Sequence, residues 1–228
     1  WSYSPAVQEL KKDILDGRYG KLICARTLVL WPRDEVYYNR NNWAGALDDG
    51  AGTWILDSPV NNATAHYLHN MLYVVGPQVD RSIRPTGVVA ELCRANPITN
   101  YDTGAARIQV EGGAEMLYIA SHAVAQNRGP ESVFEFERGT VHYVGETDGF
   151  EAQFADGSTA SYGNPFDERL RKVWVAISAV RGEADIVCGP EAASAQTLVV
   201  NGMQDSAKGI SSFPHGDVVV QGSRGERK

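Results

Sequence analysis

Apolar residues recur with a helical period through PAVQELKKDILDG and then run almost unbroken through KLICARTLVL. Ser4 is placed to accept from the orphan N–H groups of a first turn, Pro5 suits the first helical position, and Gly17 can adopt the left-handed conformation that stops a helix. This predicts a helix over 5–16 within a lead-in of residues 1–20. The β-branched and leucine-rich run over 21–30 predicts a strand. The next stretch, WPRDEVYYNRNNWAGALDDGAG, is too polar and too rich in Gly and Asn for a regular element, so a long loop is expected over 31–52. Loops of that length inside compact domains are usually functional or disordered, and the presence of Trp31, Tyr37, Tyr38 and Trp43 argues against disorder. From Thr53 to Val75, the residues Val60, Ala63, Leu68, Met71, Leu72 and Val75 return at helical spacing. They follow an Asp57-Ser58-Pro59 start and precede Gly76-Pro77, which predicts one long helix over 53–75.

The period then changes to two. TGVVAELCRA, ARIQV, EMLYIAS, SVFEFE, TVHYVG, EAQFA and STASYG read as strands, the last two joined by Asp156-Gly157, a favoured hairpin turn. Helical spacing resumes with Phe166, Leu170, Val173, Trp174, Ile177 and Val180, and a further helix follows Gly189-Pro190. The order predicts a single α+β domain over 1–228: an open, predominantly antiparallel β-sheet with helices packed on one face, covered by helices 53–75 and 165–181. The tail 221–228 reads as frayed. Alternating apolar positions on the other face predict a second copy against it, making the chain a homo-oligomer.

Charge narrows the partners. With 21 Lys+Arg against 28 Asp+Glu the net charge is −7, which argues against nucleic acid or an anionic membrane surface. No apolar run approaches the ~18 residues needed to span a bilayer. Cys24, Cys93 and Cys188 are odd in number, widely spaced and without a C-x-x-C, so a reducing, cytoplasmic setting is expected. The chain opens on Trp1 with a helix already under way, as expected of a fragment. No glycine fingerprint follows a strand, and phosphate-loop, nucleophile-elbow and H-E-x-x-H motifs are absent. His66 and His69 form H-x-x-H without a signalled third ligand, and a solvated or sheet-facing polar side explains them better than a metal.

Two places carry candidate chemistry. On a 53–75 helix, Asn61 and Thr64 fall on the same side as Val60, Leu68 and Val75, with His66 and Tyr73 opposite. A buried amide without a partner costs about 1–3 kcal/mol, so Asn61 is either satisfied by backbone or faces a polar cavity. Asp57 reads equally as a simple N-cap. The loop supplies Arg33, Tyr37, Tyr38, Arg40 and Trp43, the aromatic faces and donors that suit a polyhydroxylated ligand. The same residues also suit a loop pinned by its own aromatics and ion pairs.

In this order, ILDGRYGKL, YYNRNNWAG, GAGTWILDSPVNNATAHYLHNMLYVVG, ELCRANPITNYDTGAARIQV and AVRGEADIVCGPEAASAQTLVVNGMQDSA resemble the C-terminal domain of the Gfo/Idh/MocA oxidoreductases, the family of glucose-fructose oxidoreductase and inositol dehydrogenase. The resemblance covers nearly the whole chain. It implies a nicotinamide-dependent oxidoreductase acting by hydride transfer on a sugar, inositol or related polyol derivative. NAD or NADP would be bound mainly by a Rossmann domain absent here, no cofactor would be held by this chain, and the fragment alone would be inactive. The family's D-x-x-x-H motif implies a catalytic role for Asp57 and for the position of its histidine, which is Asn61 here. An amide has no titratable group near neutral pH, so the role of Asn61 shrinks to orienting a hydroxyl. Arg33, Tyr37, Tyr38, Arg40 and Trp43, chosen from the chemistry of the loop, are the substrate-binding candidates. The alternative is a non-catalytic carbohydrate-binding or scaffolding protein that kept the fold.

Overall fold

The computed structural model describes residues 1–222; the expected frayed tail lies almost wholly outside them. The chain opens with α1 (Pro5–Leu15), which ends as its sequence requires: Gly17 takes φ +79° and the Arg18 N–H returns to Asp13 O. Ser4 occupies the N-cap position, but its buried hydroxyl makes no capping bond. Then follow β1 (Leu22–Leu30), α2 (Glu35–Asn39), α3 (Ala65–Val74), β2 (Pro85–Arg94), β3 (Thr103–Val110), β4 (Glu115–Ser121), β5 (Arg128–Phe136), β6 (Gly139–Val144), β7 (Glu151–Phe154), β8 (Thr159–Ser161), α4 (Arg171–Val180), α5 (Pro190–Ser206) and the short β9 (Ser211–Ser212).

The strands form one open sheet in the order β8-β7-β6-β5-β1-β4-β3-β2-β9. It is antiparallel except where β1 runs parallel to β4 and β2 to β9. The expected antiparallel meander is therefore present, with β1 inserted at its centre. The connection from β4 to β5 must pass over the carboxyl end of β1, and this crossing builds the functional end of the sheet. Alternation of side chains sends Ala25, Thr27, Val29, Met116, Tyr118, Ala120, Ser132 and Phe134 inward. Against them lie α3 over β1 and α5 along β2, with α1 stacked on α3.

Two expectations about helices need correction. The long helix over 53–75 is helical only in α3, from Ala65. Residues 58–64 form irregular turns because their polar side chains compete for the backbone: Ser58 Oγ accepts from the Asn61 N–H, and Thr64 Oγ1 donates to Pro59 O. Two buried tyrosines, Tyr101 just before β3 and Tyr118 on β4, hold this segment down. Ser58 Oγ donates to Tyr101 Oη at 3.1 Å, and Tyr118 Oη donates to Thr64 O at 2.8 Å. The second correction concerns α4, which begins six residues later than the expected 165 and does not cover the sheet. Its apolar stripe points outward, leaving Trp174 64% and Val180 90% exposed, and α5 takes the covering role instead. Amphipathic spacing identified the helix but not what its apolar side faces. No helix among the described residues is long and apolar enough to cross a membrane.

Candidate functional site

At the carboxyl end of β1 the parallel pairing with β4 continues into the loops. Trp31 N–H donates to Ser121 O at 2.9 Å and Arg33 N–H to His122 O at 3.1 Å, so Arg33 and His122 are fixed side by side. Asp34 then caps α2 by accepting from the Tyr37 N–H at 2.9 Å. Successive helical residues diverge by about 100°, so Tyr37 and Tyr38 part company. Tyr37 becomes the centre of a cationic stack: the Arg40 guanidinium lies 3.5 Å and that of Arg33 5.1 Å from its ring centroid. Arg40 also reaches Trp43 at 4.9 Å, and Tyr37 meets the His122 imidazole at 5.6 Å. Tyr38 turns inward, where Gly45, at φ +70°, lets the loop close over it; a Cβ at Gly45 would stand 2.7 Å from Ile98 Cγ2. The Tyr38 hydroxyl is buried without a partner, and burial, with Asp102 adding, pushes its pKa well above the usual phenol range.

Asp57 lies beneath this loop, 6% exposed. Its Oδ2 accepts from the Gly45 N–H at 2.6 Å and its Oδ1 from Asn62 Nδ2 at 2.7 Å. Its carbonyl accepts from Asn100 Nδ2, and Asn100 Oδ1 in turn accepts from Gln204 Nε2 on α5. The Asp57 carboxylate thus ties the loop to the start of the α3 segment, and its backbone carbonyl reaches the closing helix through Asn100. Asn61 is elsewhere than the helical projection placed it: residues 58–64 are not helical, and its side chain is exposed. Its Nδ2 donates to Leu56 O at 3.1 Å, leaving Oδ1 free of protein donors among the described residues. Leu56 itself sits at φ +55°, a conformation that costs a side-chain-bearing residue about 1–2 kcal/mol. Strain of this kind clusters at functional sites.

Two cavities open at this end. One of about 230 Å³ lies between Tyr38, Gly45 and the Asn96–Thr99 turn. The other, about 480 Å³, is walled by Arg33, Glu35, Asn96, His122 and the Phe213 and Asp217–Gln221 stretch. Neither is lined by Asp57, Asn61, Arg40 or Trp43. The structure therefore brings Arg33, Tyr37, Arg40 and Trp43 into one stack, seats Tyr38 and Asp57 below it, and leaves Asn61 on the surface of the adjoining turn. His122, Asn62 and Asn100 escaped the sequence reading. Only the change from alternating strand to Ser121-His122 marks His122 beforehand. His122 is 2% exposed, its Nδ1 lies 2.7 Å from Trp31 O, and burial, with Arg33 and Arg40 adding, brings its pKa down to about 4.

His66 and His69 do not converge on a shared centre. His66 is exposed against Tyr67, whereas His69 Nε2 faces Ser2 Oγ at 3.0 Å and Cys188 Sγ at 3.4 Å. A dinucleotide is usually cradled where a strand passes through a glycine-rich turn into a helix. Among the described residues no strand does so, since β1 runs instead into WPRD and α2.

No protein-family model matches the chain, and no curated protein matches it in sequence. Solved structures do match in fold. The WlbA dehydrogenase from Bordetella pertussis, determined with NADH and UDP-GlcNAcA, is 20% identical with a TM-score of 0.65 over 89% of this chain and 58% of that one. An NAD binding oxidoreductase from Klebsiella pneumoniae is 17% identical, TM-score 0.68, over 90% of this chain and 61% of that one. The UDP-N-acetylglucosamine 3-dehydrogenase GnnA from Acidithiobacillus ferrooxidans is 12% identical, TM-score 0.63, over 90% and 58%. At these identities the likeness is one of fold. The chain spans about three-fifths of the length of each.

Proposed function

We propose that this chain is the substrate-binding domain of a nicotinamide-dependent oxidoreductase acting on a sugar, inositol or related polyol derivative, with NAD or NADP held by a separate dinucleotide-binding domain. The observation that carries the reading is the half-open stack of Arg33, Tyr37, Arg40 and Trp43 at the same end of the sheet as the strained Leu56-Asn61 turn. Ring faces and guanidinium donors match the C–H faces and hydroxyl edges of a polyol. The cofactor part rests on neighbours in fold determined with NADH. By itself the chain is accordingly expected to be inactive.

In this reading Asn61 touches substrate, its free Oδ1 accepting a hydroxyl proton donor while Nδ2 stays on Leu56 O. Asp57 is a positioning residue, holding the loop that carries the stack. Neither transfers a proton: Asn61 has no titratable group, and Asp57 is enclosed. Arg33, Tyr37, Arg40 and Trp43 bind and orient, with Tyr38 supporting them from below. We also propose a homo-oligomer through the outward sheet face, whose centre carries Leu28, Leu117, Ile119 and Val133 flanked by the Arg26–Glu135 ion pair.

The test is nicotinamide absorbance of the protein with its dinucleotide-binding domain across a panel of polyols and sugar derivatives. Turnover that falls at least tenfold in Asn61→Ala with cofactor affinity unchanged is the expected result. The presence of Asn61 where a titratable base would serve oxidation favours one rival, a non-catalytic carbohydrate-binding or scaffolding protein. Tight cofactor binding with no turnover on any member of the panel establishes that rival and overturns the oxidoreductase.

A further inference from the structure

Nothing in the chain supports α4 from outside. Most of RKVWVAISAV is valine, tryptophan, isoleucine and serine, residues of middling helix propensity. Its N-cap, Leu170, makes no capping bond, none of its residues is buried, and no other helix or strand among the described residues packs along it. An isolated helix shorter than about 12–15 residues is marginal in water, so ten residues of this composition need a covering surface. Leu170, Val173, Trp174, Ile177 and Val180 stand exposed at the spacing that gathers them on one side. Beside them a groove of about 460 Å³, between Trp174, Ser178 and Ala184, is open to a side chain from outside.

Size narrows the occupant. A fully buried tryptophan covers about 150–250 Å², so Trp174, 64% exposed, offers at most about 160 Å² and each aliphatic neighbour less. The stripe therefore falls short of the roughly 800 Å² that each partner buries when separate molecules associate stably. A domain of the same polypeptide needs less, because its tether sets an effective concentration near the millimolar range and interdomain interfaces start at about 600 Å² in total. Location agrees with a tethered domain. The Trp1 ring meets Phe166 edge-on at 5.3 Å, and Trp1, Tyr3, Phe166 and Lys172 wall one cavity of about 340 Å³, so the lead-in reaches the foot of α4. The solved structures alike in fold are longer: this chain spans 58–61% of them, leaving about two-fifths of their length without a counterpart here.

We propose that the apolar side of α4, centred on Trp174, is the seat of the dinucleotide-binding domain. The proposal rests on the reading of this chain as one domain of a two-domain oxidoreductase, which joins the other domain to the lead-in. The complement on that domain is an apolar patch with one large side chain for the groove beside Trp174.

Amide exchange followed by mass spectrometry, in the 228-residue chain and in the protein with its dinucleotide-binding domain, tests it without substrate. Exchange over 171–180 is expected to be at least about a hundredfold slower in the two-domain protein, while α5 is protected in both. Trp174→Glu is expected to restore fast exchange at α4 in the two-domain protein and to leave the melting temperature of the 228-residue chain unchanged, because Trp174 buries nothing there. Equal exchange in the two proteins overturns the proposal, as does a Trp174→Glu two-domain protein whose α4 stays slow. Protection that arises in the 228-residue chain alone and grows with its concentration overturns it in favour of a second copy. The two readings fail separately. Turnover of a polyol by a protein whose α4 exchanges fast retires only the docking surface, and a slow α4 in a protein that binds the cofactor but turns nothing over retires only the oxidoreductase.

Discussion

Replacing Asp57 by Ala separates a residue that holds the site from one that works in it. The substitution removes two hydrogen bonds to a charged acceptor, from the Gly45 N–H at 2.6 Å and from Asn62 Nδ2 at 2.7 Å. Bonds of that type contribute about 1.5–3 kcal/mol each, and the Gly45 N–H is left without its acceptor in a buried setting. Relief of the buried carboxylate offsets part of this, so the expected loss is about 3–4 kcal/mol. For a chain of this length about 2–4 °C accompanies each kcal/mol, placing the melting temperature roughly 6–15 °C lower. Asp57→Asn rescues little, because its single oxygen serves one donor while its amide confronts the other. Calorimetric unfolding gives the magnitude, and amide exchange at Gly45 and over 57–64 gives the location, since the loop and the turn should open together. Asp57→Ala within about 1 kcal/mol of wild type, with Gly45 still protected, refutes the pinning role and returns Asp57 to direct contact with substrate.

Asn61→Ala should behave in the opposite way: its side chain is exposed with one hydrogen bond, so stability should change by less than about 1 kcal/mol, and a larger loss in denaturant unfolding contradicts the surface placement. Lys11 is buried against the end of α3, donating to the carbonyls of Tyr73, Gly76 and Arg81, and burial lowers its pKa from 10.5 to about 8. The folded state then holds fewer protons than the unfolded between those values. The stability of wild type relative to Lys11→Met should therefore rise from pH 8 toward 10.5, by up to about 3 kcal/mol at 1.36 kcal/mol per pH unit, and a flat difference refutes the shift. His122 and His69 are both lowered from 6.5 to about 4 by burial, so stability should fall as pH drops from 6.5 through 4. Urea titrations at pH 7 and 4.5 should show a smaller loss in His122→Gln than in wild type, and equal losses would remove His122 from the account. Leu117→Asp, in the middle of the outward sheet face, should lower the mass measured by light scattering if that face is an oligomer interface; an unchanged oligomer contradicts the assignment.

Local pattern made most of the strands, α1 and α5 legible, because each buries residues at its own period within a few residues of chain. The segment 58–64 was misread for an equally local reason. Val60 and Thr64 are buried at helical spacing, yet Ser58 and Thr64 hold the backbone, and Asn62 the Asp57 carboxylate, in turns that a hydrophobic template does not register. For α4 the period was right and the neighbour wrong, since an apolar stripe specifies that something is to be covered without naming it. The loop residues were legible as chemistry from composition alone, although nothing in their spacing distinguished Tyr37, which joins the cationic stack, from Tyr38, which is turned under it.

The largest omission is the placement of β1, and it accounts for the hidden part of the site. Had β1 paired with the strand that follows it, the Trp31–Gly52 loop would have ended at a sheet edge. Insertion between β4 and β5 instead puts the carboxyl end of β1 beside that of β4, about ninety residues away in sequence, and forces residues 122–127 across it. The consequence is specific: Arg33 and His122 share a backbone hydrogen bond, His122 is buried under the crossing, and its Nδ1 is committed to Trp31 O. Nothing local to Ser121-His122 encodes that neighbour, because register between distant parallel strands is set by the whole sheet. The closeness of the Arg33 backbone to His122 and the burial of an imidazole whose Nε2 has no partner among the described residues thus arise from one topological choice. The loop supplies the side chains; the position of β1 determines which of them meet.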